Sequence, residues 1–329
     1  MTRAPDFWYR ARPDWRAQVL RPLGWLYGRA TARRLATGPH LKMSVPVVCV
    51  GNINAGGTGK TPTVIAVIEH LLDLYHEVHV VSRGYGGNLS GPLRVDPARH
   101  KASQVGDEPL LLAAFAEVWV AKDRGAGARA AQAAGATVIV LDDGFQNPAL
   151  AYDLSIVVVD AARGFGNGLC VPAGPLREPT EVGLARADVL LSIGDATAQE
   201  GFVTRRLPAG LAQAKAALAP LQTGMDWRGM RAFAFAGIAH PKKFFETLRS
   251  LGAEILHAEA LSDHQPLTAA LMTRLEADAK SHGAQLVTTE KDAARLPASF
   301  RMKVITLPVR LRFQMPNPLA KALEKLPRP

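Results

Sequence analysis

Residues 45–62 read VPVVCVGNINAGGTGKTP, and no other stretch restricts the chain as much. Val45 to Val50 is a short β-branched run, Gly51 to Gly59 is rich in Gly and Asn, and Lys60-Thr61-Pro62 opens a segment whose apolar residues recur at helical spacing (Val64, Ile65, Val67, Ile68, Leu71, Leu72). The order is strand, loop, helix. A loop whose amides turn inward beside a helix N-terminus cradles anions, a Lys at its end reaches the outer phosphates, and a Thr hydroxyl there ligates Mg²⁺. The stretch predicts a phosphate-binding loop for a nucleoside triphosphate, made by Asn54, Ala55, Gly56, Gly57, Thr58, Gly59, Lys60 and Thr61. The pattern G-x-x-x-x-G-K-[ST] is broken at its first position, where Asn54 stands for Gly. Asn tolerates the left-handed conformation better than most residues, which keeps the loop feasible. A plain Gly-rich connection does not account for Lys-Thr directly after the last Gly.

Val78 to Ser82 reads as the next strand and ends in Arg83-Gly84-Tyr85-Gly86-Gly87. Ligands of open parallel sheets sit beyond the carboxyl ends of strands, so Arg83 and Tyr85 are placed to meet an anionic or sugar-like substrate; an ordinary Gly turn is the alternative. Val105-Gly106-Asp107-Glu108-Pro109 precedes a helical run, and Asp107 is predicted as its N-cap, although a carboxylate there can also accept a proton from a hydroxyl nucleophile. Thr137 to Leu141 leads into Asp142-Asp143, strand-end acids of the kind that hold Mg²⁺ against phosphates, with Gln146 able to orient a water or the metal shell. Residues 161–179 (AARGFGNGLCVPAGPLREP) hold four Gly and three Pro without periodicity. They read as an ordered active-site loop in which Arg177 stabilises phosphate charge and Glu178 joins the metal shell.

Strands alternating with helices at short spacing predict an α/β fold: a doubly wound, mostly parallel sheet of the P-loop NTPase type over residues 45–220. A second, smaller α/β unit is expected over 221–329, closing a cleft. Within it, Asp263-His264 is either a proton-transfer pair or a plain polar pair near a helix, and Thr288 to Asp292 either contacts a nucleotide or starts a helix. With 329 residues, 48% of them hydrophobic, about two domains of ~150 residues are expected. Cys49 and Cys170 offer neither a disulfide framework nor metal-ligand spacing, which fits a reducing cytoplasm. No uncharged apolar run reaches the ~18 residues of a membrane span, and the first residues lack the apolar core of a secretory signal.

The net charge of +10 is concentrated at one end. Residues 1–42 carry eight Arg and one Lys against Asp6 and Asp14, a net +7, together with Trp8, Trp15 and Trp25. Arg interleaved with Trp and Leu on an amphipathic helix fits an anionic membrane surface, so residues 1–44 are read as a membrane-surface segment. Packing on the core with a solvated basic face, kinked at Pro22, is the alternative. The aromatic interleaving argues against a nucleic-acid partner.

Taken together, the motifs resemble the tetraacyldisaccharide 4′-kinase family of Gram-negative bacteria. The resemblance rests on GNINAGGTGKTP (51–62), SRGYGG (82–87), VGDEP (105–109), LDDGFQN (141–147), FGNG…PAGPLREP (165–179), FAGIAHPKKFF (235–245), SDH (262–264) and TTEKDAAR (288–295). The family usually carries a second His after SDH; here it is Gln265. The resemblance implies transfer of the ATP γ-phosphate to the 4′-hydroxyl of an acylated glucosamine disaccharide 1-phosphate, by a peripheral monomer at the cytoplasmic face of the inner membrane. It also implies that Asp107 and His264 pair to deprotonate the sugar hydroxyl, that Lys60 and Thr61 hold phosphates and Mg²⁺, and that Asp142, Asp143 and Glu178 form the acidic metal region. An ATPase or GTPase switch, or a metal-delivery chaperone, is the competing reading; its loop carries Lys where this chain has Ala55.

Overall fold

The computed structural model describes residues 4–10, 12–202, 207–238, 240–262 and 265–329. Thirteen strands follow one another among these: β1 Val47–Gly51, β2 Val78–Ser82, β3 Leu93–Arg94, β4 Glu117–Val120, β5 Val138–Asp142, β6 Leu154–Asp160, β7 Val189–Ile193, β8 Ala212–Pro220, β9 Arg231–Ala236, β10 Glu254–Ala260, β11 Gln285–Thr289, β12 Val304–Leu307 and β13 Val309–Phe313. Nine form one sheet in the order β13-β8-β7-β6-β1-β5-β2-β4-β3. Its interior pairs are parallel, and only the edge strands β13 and β3 run antiparallel to their neighbours.

The mostly apolar strands β1, β2, β5 and β7 have every residue buried, as a sheet covered on both faces requires. On one face Val48, Val50, Val80 and Val140 pack with Val64, Ile68 and Leu71 of the helix Lys60–Asp73. On the other, Val47, Cys49, Ile139 and Leu141 pack with Ala128 and Ala131 of the helix Arg124–Ala133 and with Leu176.

The smaller sheet has the order β10-β9-β11-β12, all parallel. Alternation in the RAFAFA strand divides its two faces. Ala232, Ala234 and Ala236 join Phe244 and Leu248 of the helix Pro241–Ser250, whereas Phe233 and Phe235 join Leu275 and Ala279 of the helix Ala269–Ser281.

One expectation is corrected here. The smaller unit does not extend to residue 329, because β13 pairs with β8 and the helix Pro318–Leu323 buries Leu319 and Leu323 in the core of the large sheet. The N-terminal helix, Trp15–Ala36, continues through Pro22 and packs mainly by small residues and Leu35. Its buried positions are Ala17, Gly24, Gly28, Thr31 and Leu35, while Trp15, Val19, Leu23, Trp25 and Leu26 are exposed. No helix among the described residues is long and apolar enough to cross a membrane.

Candidate active site

β1 lies between β5 and β6 at the centre of the sheet, and the chain leaves its carboxyl end into the loop 52–59. The register places Asp142 of β5 beside Val50, so the acid pair and the loop emerge side by side. Gly56 and Gly59 take left-handed backbone, with φ of 115° and 94°, and a Cβ on Gly56 would meet nothing within 4 Å, which leaves that side of the loop open for a ligand. The Asn52 amide donates to the Gly56 carbonyl (3.2 Å) and the Thr58 hydroxyl (3.0 Å), bracing the loop from within.

Asn54 does not use the left-handed conformation expected of it. It forms an isolated antiparallel bridge with Leu176, and its amide donates to the Gly164 carbonyl at 3.0 Å. Ala55 N–H donates to Pro175 O (2.6 Å) and Arg177 N–H to Ile53 O (2.7 Å). Asn54 and Ala55 thus fasten the phosphate loop to the segment 161–179, and the open cradle begins at Gly56.

Lys60, the first residue of its helix, places Nζ 3.6 Å from Asp143 Oδ1, and Arg177 donates to the same oxygen at 3.0 Å. Burial works to raise the Asp143 carboxyl, but Lys60 and Arg177 outweigh it and hold the group below the usual carboxylate range. Asp142 behaves in the opposite way. It is buried, its Oδ2 accepts from the Ser82 hydroxyl at 2.9 Å, and its backbone carbonyl accepts from Arg124 at 3.0 Å. Burial, then the Glu108 and Asp143 carboxylates, push its carboxyl up to about 7 against the pull of Lys60 and Arg124.

The sequence assigns Glu108 no role of its own, yet it lies against the phosphate loop. It accepts from the Thr61 hydroxyl at 3.4 Å and stands 3.4 Å from Lys291 Nζ. Its place beside Asp107 in VGDEP is the signal that could have marked it. Asp107 does not cap its helix: Gly106, with φ of 91°, holds the cap position, and Asp107 is the first residue of Asp107–Leu112. Its buried carboxylate instead faces Lys291 at 3.9 Å and Arg295 at 4.0 Å, both from the helix Glu290–Arg295 of the smaller unit. His264 and Asp263 lie outside the described residues.

Arg83 is exposed at the end of β2, and Tyr85 is likewise exposed in the loop that follows. That loop lies against VGDEP: Asn88 and Leu89 donate to the Ser103 and Gln104 carbonyls, and a Cβ on Gly106 would stand 2.6 Å from the Tyr85 carbonyl. Glu178 is buried, with both oxygens 2.7 Å from Arg186 Nη2 and one also accepting from Gln146 at 3.0 Å. Gln146 in turn accepts from Arg177 at 3.1 Å and donates to Asn52 O at 2.7 Å. The carboxylate of Glu178 is therefore engaged by Arg186 and Gln146 and reaches Arg177 only through Gln146.

A family model for tetraacyldisaccharide-1-P 4′-kinase matches residues 16–328. The chain belongs to this family. The kinase relatives include the tetraacyldisaccharide 4′-kinase of Dinoroseobacter shibae, 61% identical over 98% of this chain and 97% of the relative, and that of Jannaschia sp., 58% identical over 98% and 99%. A crystal structure of LpxK from Aquifex aeolicus in complex with ATP superposes with a TM-score of 0.75 at 26% identity, covering 94% of this chain and 98% of that one. The likeness extends across both sheets, so the kinase family's architecture holds for nearly the whole chain.

Proposed function

We propose that the chain transfers the γ-phosphate of ATP to the 4′-hydroxyl of a tetraacylated glucosamine disaccharide 1-phosphate, as a peripheral enzyme on the cytoplasmic face of the inner membrane. The observation that carries this reading is the convergence of Lys60, Arg177, Asp142 and Asp143 at the mouth of an open glycine cradle, within a chain of the kinase family. Phosphoryl transfer asks for positioning, charge neutralisation and a base near the acceptor hydroxyl. The amides from Gly56 to Thr61 and the N-terminus of the helix Lys60–Asp73 bind the phosphate oxygens. Lys60 and Arg177, which share one oxygen of Asp143, turn to the triphosphate when it arrives.

The residues fit Mg²⁺. Thr61, Glu108, Asp142 and Asp143 offer hard oxygen donors at the end of the phosphate loop, with Thr61 and Glu108 in direct contact. Among the described residues no three such side chains converge as a complete metal cage. That suits Mg²⁺, which is usually held by one or two carboxylates and completed by waters and substrate phosphates. When bound, the ion neutralises charge on the bridging and terminal phosphate oxygens. Asp107, paired with His264, takes the proton from the acceptor hydroxyl, and Arg83 and Tyr85 meet the sugar and its phosphate.

The outward row of Trp15, Val19, Leu23 and Leu26 recurs at helical spacing opposite the buried small residues, and Arg29 lies over the Trp25 ring at 4.9 Å. Such a face lies in an anionic lipid interface and brings the site to an acylated acceptor. Incubating the protein with γ-labelled ATP, Mg²⁺ and the acylated disaccharide 1-phosphate tests the reading: label should pass to the lipid, and label appearing only as free phosphate points to an ATPase.

A further inference from the structure

Arg295 is almost wholly buried, with 7% of its side chain exposed, and joins three parts of the molecule. Nη1 donates to the backbone carbonyl of Gln265 at 3.0 Å, and Nη2 donates to Asp292 Oδ1. Nε has no hydrogen-bond acceptor and faces Asp107 Oδ2, on the other unit, at 4.0 Å. Asp292 is itself fully buried and fixed, accepting from the Gly237 amide (3.0 Å) and the Thr289 hydroxyl (2.8 Å). The guanidinium is therefore held rigidly by its own unit and keeps one N–H turned toward a carboxylate of the other. Lys291, one helical turn earlier on the same face, stands 3.9 Å from that carboxylate.

A buried N–H with no acceptor is costly, and a small advance of the smaller unit brings Nε within bonding distance of Asp107. Gln265 follows His264 directly in the chain. One planar, multidentate cation thus bonds the Gln265 backbone and faces Asp107. Arg suits this task because its five donors are fixed in a fork; Lys is a point charge on a flexible stem.

We propose that Arg295 is a positioning residue of the transfer reaction: anchored on Asp292 and on the Gln265 carbonyl, it orients the Asp107 carboxylate and completes its bond to that group as the two units close on their substrates. The inference rests on Asp107 acting as the proton acceptor.

The test compares full-length wild type, Arg295→Gln, Arg295→Lys, Asp107→Asn and the double variant Asp107→Asn/Arg295→Gln, measuring kcat, KM for ATP and equilibrium ATP binding. Arg295→Gln should lower kcat by roughly tenfold or more while ATP affinity stays within about threefold, because the interaction is made at the acceptor side of the transition state. Arg295→Lys should recover part of kcat, and the double variant should be within about threefold of Asp107→Asn, because residues acting through one group are non-additive. Normal kcat in Arg295→Gln, a parallel loss of ATP binding, or a full multiplicative loss in the double variant each overturns the proposal. Should Arg295→Gln fail to fold, Arg295→Lys alone decides: lowered kcat with ATP affinity kept supports the role, and wild-type kcat overturns it. Full turnover by Asp107→Asn overturns the reading of Asp107 itself; a slow Asp107→Asn beside a normal Arg295→Gln overturns Arg295 alone.

Discussion

The Thr61 hydroxyl donates to Glu108 Oε1 across 3.4 Å, and Lys291 Nζ stands 3.4 Å from the same oxygen. A group of the phosphate loop, an acid of the large unit and a cation of the smaller unit therefore meet at one atom. Glu108 links the metal side of the site to the docking of the smaller unit. Glu108→Gln keeps the shape and removes the charge. It is expected to lower kcat roughly ten- to a hundredfold and to raise the Mg²⁺ concentration needed for half-maximal rate. An unchanged Mg²⁺ requirement would leave Glu108 with docking alone.

Glu178 should behave differently. Its oxygens are taken by Arg186 and Gln146, and Arg186 also lies over the Phe145 ring at 4.2 Å. Glu178→Ala leaves a guanidinium that is one-third exposed without its partner. The expected cost is about 1–3 kcal/mol of stability, less than for a fully buried pair because water reaches Arg186. Chemical denaturation measures this, and the Mg²⁺ requirement should not move. A raised requirement would return Glu178 to the metal shell.

What the sequence made legible was local. The strand-loop-helix order at 45–62 and the acids at 142–143 follow from short-range patterning, and both are found where that patterning puts them. The roles of Asn54, Glu178 and Asp107 depend on distant partners: Leu176 and Gly164 for the first, Arg186 and Gln146 for the second, Lys291 and Arg295 for the third. Asp107 looked like a helix cap because Asp before an apolar run usually is one, yet the cap position went to Gly106, whose φ of 91° a side chain would oppose. β13 escaped for the same reason as these contacts. Its pairing with β8 spans the entire smaller unit, and the alternation in VRLRF marks a strand without marking its sheet.

His79 gives a pH dependence unconnected with catalysis. It is buried in β2, its Nδ1 accepts from the Trp119 indole at 3.3 Å, and Nε2 lies 3.5 Å from Glu117. Burial lowers its pKa below the ordinary 6.5, with Glu117 and Glu77 pulling the other way and Arg94 adding to the lowering. Below pH 6.5 the unfolded chain takes up a proton that the folded chain does not, so stability is full above that value and is lost as pH falls toward the folded pKa. Urea unfolding at about pH 7.5 and about pH 5.5 should show this loss, and His79→Gln should reduce it. An equal loss in the variant would assign the effect to other groups.

The exposed apolar row of the N-terminal helix is open to direct measurement. Trp15 is 72% exposed and Trp25 60%, and neither supports the fold by burial. Replacing both with Ser should leave the unfolding midpoint in place and weaken binding to anionic lipid vesicles by about tenfold or more, given ~1.5–3 kcal/mol for a large apolar side chain taken from water. Added salt should weaken the wild type as well, since the arginines between them act through charge. Vesicle binding that survives both changes would reject the interfacial role.

Gly24 and Gly28 sit on the inner stripe of that helix, one turn apart, and are predicted to respond to the same substitution with opposite signs. A Cβ on Gly24 would stand 2.6 Å from the backbone oxygen of Cys170, which cannot move without shifting the segment fastened to the phosphate loop. A Cβ on Gly28 would meet Cys170 Sγ at 3.4 Å and Pro179 Cδ at 3.5 Å, ordinary van der Waals contacts. Both changes gain the ~0.5–1 kcal/mol by which Ala exceeds Gly in a helix interior. At Gly28 nothing opposes that gain, so Gly28→Ala should raise stability by about that amount. At Gly24 the overpacking penalty of about 1–3 kcal/mol outweighs it, so Gly24→Ala should lower stability and loosen the helix from residues 170–175. Thermal unfolding of the two variants side by side reads the signs, and amide exchange across 15–36 reports the docking. Equal shifts in the same direction would mean that this helix is not held against Cys170 by close backbone approach.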